Sequence, residues 1–178
     1  MEGSDEQLML AYGGGDAAAF DALYARHRTR LFRFVLRGVK SRAVAEELYQ
    51  EIWMKVIEAR ERYTPQARFS IWLYTIAHNR LVDHWRSRGL SLVSLDESDS
   101  IPDGSSDPAR HAEARESLAR FAAALQSLPP AQREAFLLHE EGELSVAEIA
   151  KTTGTNPEAA KSRLRYAIAK LKSAIDDA

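Results

Sequence analysis

Eighteen residues from Phe69 to Arg86 hold the chain's densest mixture of chemically capable side chains. Phe69, Trp72, Leu73, Ile76 and Arg80 recur at helical spacing, so Phe69 to Ile76 make one apolar face. The other positions carry Tyr74, His78, Asn79, His84, Arg86 and Arg88. Rings, cations and a side-chain amide thus share a surface whose one carboxylate is Asp83. That is a poor set for acid–base or nucleophilic chemistry. It suits a nucleic-acid strand: rings stack on bases, cations meet phosphates, and an amide pairs with a base edge. A metal-dependent hydrolase built on His27, His78, Asp83 and His84 is the competing reading. His78 and His84 are six apart and point away from each other on a helix, and the set matches no established metal-ligand spacing. No cofactor is expected.

Composition narrows the field. The chain has 178 residues, 45% of them hydrophobic and 28% charged, as in an ordinary soluble globular protein. With no cysteine, a disulfide framework and cysteine-ligated metals are excluded, and a reducing cytoplasm is the expected setting. No apolar run approaches the roughly 20 residues that span a bilayer, and the acidic start Met1 to Glu6 is unlike a signal peptide. Membrane insertion is therefore not expected. A net charge of −2 means that any nucleic-acid surface must be local.

The positioning elements read as helices throughout. Ser4 to Gln7 has the form of a capping box opening a short helix through Leu8, Leu10 and Tyr12, which Gly13, Gly14 and Gly15 end. Asp16 caps a second helix with Phe20, Leu23, Tyr24, Leu31, Phe34 and Val35 inside. Arg26, Arg28, Arg30, Arg33 and Arg37 fall outside that stripe and read as a solvated face. A third helix, Ala43 to Tyr63, buries Leu48, Ile52, Val56 and Ala59. Trp53 makes it apolar over a second stripe, which predicts a second partner. Pro65 breaks the chain before the Phe69 helix.

From Ser87 to Ala109 serine, aspartate, glutamate, proline and glycine dominate, and the segment reads as a flexible acidic linker. A C-terminal bundle follows. Its first helix runs from about His111 to Leu128, with Leu118, Phe121, Ala122 and Leu125 inside. The next carries Phe136, Leu137 and Leu138. Ser145 to Glu148 is a second capping box, Thr153-Gly154-Thr155 a tight turn, and Asn156-Pro157 the start of a last helix with Leu164, Ile168, Leu171 and Ile175 inside.

Short helix, glycine turn, longer helix is the helix-turn-helix plan. Charge agrees with it. Lys151, Lys161, Arg163, Arg165, Lys170 and Lys172 face one acid, Glu158, while Glu134, Glu140, Glu141, Glu143 and Glu148 precede them. Lys161, Ser162, Arg165 and Tyr166 lie near the helix N-terminus, where base contacts are made.

Taken together, these pieces resemble bacterial sigma-70 family sigma factors of the extracytoplasmic-function class, group 4. The matching runs are Asp16 to Phe20 with Leu23-Tyr24, Ala45 to Val56, Phe69 to Arg80, Leu128-Pro129 with Arg133-Glu134, Ser145 to Ala150, and Lys161 to Leu164. The resemblance implies an all-α, non-enzymatic promoter-recognition subunit. It has two small helical domains, 1–88 and 111–178, joined by a flexible linker over 89–110. It implies that Glu47, Leu48, Gln50, Glu51 and Trp53 dock on the clamp helices of core RNA polymerase, with the flap a further contact. Tyr63 to Arg68 fall on the loop receiving a flipped base of the −10 element, and Trp72, Asn79 and Arg80 in the strand-separating region; His84 and Arg86 extend that surface. Lys161, Ser162, Arg163, Arg165 and Tyr166 fall on the helix reading the −35 element. Two departures stand out: Glu47 where the family usually has Asp, and Glu158-Ala159-Ala160 where it often has Gly-Thr-Val.

The chain ends shortly after the recognition helix, so regulation is expected from a separate partner such as an anti-sigma factor, from expression, or from modification. A stand-alone helix-turn-helix regulator remains the alternative, and the aromatic–cationic Phe69 helix speaks against it.

Overall fold

The computed structural model describes residues 2–88 and 108–177. Eight α-helices and no strand are found among them: α1 (Asp5–Gly13), α2 (Ala17–Val39), α3 (Arg42–Ala59), α4 (Phe69–Ser87), α5 (Pro108–Ser127), α6 (Pro130–Glu140), α7 (Val146–Thr153) and α8 (Pro157–Asp176). A 3-10 turn, Arg60–Arg62, follows α3. The all-α expectation holds. Most of the proposed linker lies outside the described residues, and 108–110 form the first turn of α5 rather than a tether.

Local chemistry sets the helix ends. Ser4 and Gln7 exchange side-chain and backbone hydrogen bonds in a complete capping box. Asp16, Ser41 and Asn156 each accept a backbone N–H at the start of α2, α3 and α8. Ser145 does the same for α7, while the Glu148 carboxylate turns away to meet Arg68. Gly154 closes α7 at φ 69°, in the left-handed region where a Cβ is penalised. The start of α4 has no cap from its own residue Arg68. Instead Glu6 reaches over from α1 and accepts the Phe69 N–H at 2.7 Å. That bond holds the Glu6 carboxyl below its usual pKa.

Helices α1 to α4 pack around Leu8, Met9, Leu23, Leu31, Phe34, Ile52, Phe69 and Leu73, all nearly or fully inaccessible. Helices α5 to α7 pack on α8 around Leu125, Leu137, Leu138, Ile149 and Leu171. The two groups also meet, α2 against α6 and α4 against α7, so their buried residues form one continuous cluster.

Several inner faces differ from the sequence expectation. In α8 the buried positions are Ala160, Leu164, Ala167 and Leu171, an i, i+4, i+7, i+11 series. Ile168 and Ile175 stand on the rim, 43% and 48% exposed. Small alanines let α8 approach its neighbours closely, and a search for large residues misses them. Leu118 of α5 is likewise exposed, and Ala124, Leu125 and Leu128 do its packing. In α1 the buried pair is Leu8 and Met9, with Leu10 outside.

Candidate functional site

The outward face of α3 carries Glu46, Glu47 and Gln50, all exposed. Leu48 lies on the inner face, fully enclosed. Trp53 is 5% exposed, packed edge-on to Phe20 and Tyr49 and beside Tyr24. The second partner that the apolar excess of α3 predicted is therefore this intramolecular aromatic cluster. The Trp53 indole N–H has no protein acceptor there.

Glu51 ties α3 to α4. Its Oε2 pairs with Nε of Arg80. The bond lowers the Glu51 pKa and raises that of Arg80. Sequence reading placed these two residues on separate surfaces, and the fold joins them.

Along α4 the residues divide. Phe69, Leu73, Tyr74, Ala77 and Leu81 are buried. Tyr74 corrects the expectation of an outward aromatic: it sits edge-on to Phe34 and donates its hydroxyl to the Glu141 carbonyl at 3.0 Å. Burial first, then the nearby Glu141 charge, drives its pKa far up. His78 pairs through Nδ1 with Glu134 of α6. Trp72 is half-buried against Tyr63 at 5.0 Å and Phe69 at 5.7 Å between ring centroids. Tyr63 is itself buried and its hydroxyl has no protein partner. Asn79 and Arg86 are exposed, and His84 is half-buried. Burial, then the charges of Arg88 and Arg80, keep His84 below its ordinary pKa.

The break before α4 leaves Arg68 exposed, bound to Glu148 and donating to the Glu143 carbonyl at 3.2 Å. The α2 arginines are the second correction. Arg30 pairs with Glu143, Arg33 with Glu141 at 3.1 Å and Arg37 with Glu141 at 3.0 Å. Their face is thus an interface and not freely solvated. The only sequence signal was the matching run of glutamates more than 100 residues downstream, and nothing local links the two.

On α8, Lys161, Arg165 and Tyr166 are exposed, Ser162 and Arg163 half-buried. The Arg165 guanidinium lies 5.4 Å from the Tyr166 ring centroid. This is one cationic edge at the start of the second helix of a capped helix-turn-helix. The histidines weighed as metal ligands sit apart, His27 on Asp5 and His78 on Glu134. Among the described residues no group of three or more His, Asp or Glu has metal-binding geometry, and no helix is long and apolar enough to cross a membrane.

Comparison with known proteins places this geometry. Residues 23–90 match the Sigma-70 region 2 family model and residues 118–171 the Sigma-70 region 4 model. The RNA polymerase sigma factor CarQ of Myxococcus xanthus is 34% identical over 95% of this chain and 96% of its own length. The ECF RNA polymerase sigma factor BldN of Streptomyces coelicolor is 30% identical over 96% of this chain and 66% of its own. Among solved structures, the sigma factor RpoE of Bartonella quintana, in complex with the anti-sigma factor NepR, shares the fold with a TM-score of 0.72. It is 24% identical, over 88% of this chain and 96% of that one. CnrH, in complex with the cytosolic domain of CnrY, does so at 0.70 and 24% identity, over 98% of this chain and 99% of that one. The chain belongs to the sigma-70 family of RNA polymerase sigma factors, within the extracytoplasmic-function class.

Proposed function

We propose a division of labour within this sigma factor, which binds core RNA polymerase and directs it to promoters. The exposed acidic face of α3, Glu47 and Gln50 with Glu51 at its edge, docks on the polymerase clamp helices. Asn79, Arg80, His84 and Arg86, with the Tyr63–Arg68 loop and Trp72, capture the −10 element. Lys161, Ser162, Arg163, Arg165 and Tyr166 read the −35 element. The two halves act as separate domains when the protein joins the polymerase. The protein performs no chemistry of its own and works in the cytoplasm. An anti-sigma partner is part of the reading, by likeness to the complex in which RpoE was solved with the anti-sigma factor NepR.

Asn79 carries this reading. It is exposed on α4 with an amide that has no structural duty, next to Arg80 and two turns from Trp72. Such an amide pairs with a Watson–Crick edge once the base has left the stack. Promoter opening is then driven by base capture rather than by nucleotide hydrolysis. The test is permanganate footprinting of open complexes formed with core polymerase. Asn79→Ala should impair opening on a matched duplex and recover on a template already mismatched at the −10 element. Equal defects on both templates would remove Asn79 from strand capture.

A further inference from the structure

Four arginines of the N-terminal half converge on one segment of the C-terminal half. Arg30, Arg33 and Arg37 lie at i, i+3 and i+7 on one face of α2, and Arg68 extends the row from the loop before α4. Their partners are the carboxylates of Glu141, Glu143 and Glu148. The acidic segment is held in an unusual shape. At Gly142 a Cβ would lie 2.7 Å from the Leu138 carbonyl oxygen and 2.8 Å from Leu144. Glu143, which follows, takes φ 54°, a left-handed conformation that costs a non-glycine residue energy. This shape buries Glu141 between Arg33 and Arg37 while its carbonyl receives Tyr74.

The contact is also exchangeable. The arginine side chains stay 36% to 50% exposed, so water and salt reach the cationic side of each pair. From Arg30 to Arg37 the helix rises about 10 Å, about three steps of the roughly 3.4 Å axial spacing per strand in a duplex, so the row matches the reach of about four successive phosphates. Arginine forks bind phosphate as they bind carboxylate. The row ends at Arg68, which belongs to the Tyr63–Arg68 loop proposed to meet the −10 element.

We propose that Arg30, Arg33, Arg37 and Arg68 form a binding surface for the phosphate backbone of a DNA strand, and that the Glu141–Glu148 segment occupies it in the free chain as an internal polyanion. The inference rests on the reading of this half as promoter-binding. It gives the seam between the halves a function: DNA and the acidic segment compete for the same guanidinium groups. The free protein is thereby kept from non-specific DNA until the halves part.

The arginines and the carboxylates predict opposite signs, which makes the idea testable without polymerase. The full chain is titrated against a fluorescein-labelled single-stranded DNA oligonucleotide at several salt concentrations. Glu141→Gln/Glu143→Gln/Glu148→Gln should bind about tenfold tighter than the unchanged chain, the factor lost when about nine-tenths of the population is closed. Adding Arg33→Ala/Arg37→Ala should weaken that binding again and make the salt slope shallower by about 0.7 per lost phosphate contact. If Glu141→Gln reduces helicity, Glu143→Gln/Glu148→Gln serves instead, since both side chains reach solvent. A folded carboxamide variant that binds no tighter overturns the masking. Arginine variants that leave affinity and slope unchanged in the opened background overturn the phosphate site. Tighter capture of poly-glutamate than of DNA, lost in the arginine variants, would reassign the surface to an acidic protein. Promoter-directed transcription by the unchanged chain with core polymerase is a separate readout, so a failure here is distinct from a failure of the sigma-factor reading.

Discussion

The cations near α4 and those of α8 live in different electrostatic surroundings. Arg68 is paired with Glu148 and Arg80 with Glu51. No cation of α8 takes part in an ion pair among the described residues. The α8 edge can meet a phosphate without first losing a partner. Arg68 and Arg80 must each exchange one anion for another. The difference teaches where control can act: if both surfaces meet DNA as proposed, binding at α8 should follow DNA sequence and salt, and binding near Arg68 should also follow the state of the seam.

The largest effect should come from forcing the seam. Gly142→Ala pushes a methyl group against the Leu138 carbonyl and Leu144, with the Tyr74 ring 3.3 Å away. Backbone must move, so the variant should lose about 3 kcal/mol of stability in urea unfolding. If the comparison is sound, DNA binding through α8 in the folded variant should be unchanged. A parallel loss at α8 would mean that the two surfaces are mechanically one.

A change on α8 should be nearly as large and should leave the seam alone. Arg165→Ala should cost about 2 kcal/mol of discrimination at one promoter position if the guanidinium makes a bidentate base contact. If it meets phosphate alone, affinity should fall uniformly and the salt slope by about one. Promoter titration at two salt concentrations separates the outcomes, and no change in either would remove Arg165 from the interface.

These contrasts show what the sequence made legible. Capping pairs such as Ser4–Gln7 and Asn156–Pro157 are local, and they marked the ends of α1 and α8 to within a residue. The exposure of Asn79, Lys161 and Arg165 followed from helical phase alone. What failed was long-range. Tyr74 looked outward because the C-terminal half that covers it begins some 30 residues later. Arg30, Arg33 and Arg37 looked solvated for the same reason. Trp53 looked unpartnered because its cluster is assembled from α2 as well as α3. Period and charge define a face, but they do not say which other face will cover it.

A smaller test probes the seam through one atom. Tyr74→Phe removes the hydroxyl that satisfies the Glu141 carbonyl in a buried setting. The cost should be about 1 kcal/mol, read as a shift in the urea midpoint with unchanged slope. The variant should also bind single-stranded DNA slightly better, because it weakens the closed arrangement without touching an arginine. A stability loss with no gain in DNA binding would separate the seam from the cationic row.

The smallest effect is at His84, and it reports on the N-terminal surface before any DNA arrives. Its imidazole is half-buried near Arg80 and Arg88, and both burial and those cations disfavour the imidazolium. The folded-state pKa therefore lies below the unfolded value of about 6.5. The sign follows: the folded state binds fewer protons, so the contribution of His84 to stability is complete above about pH 6.5 and declines as pH falls through the folded pKa. Titration by NMR should show this depressed midpoint, and Arg88→Gln should raise it part of the way back. Adding single-stranded DNA should raise it further, because a phosphate near Arg80 and Arg88 offsets their charge. A His84 midpoint that DNA leaves unmoved would place the strand away from this end of α4, and the contrast between the two surfaces would then rest on Arg68 and Arg80 alone.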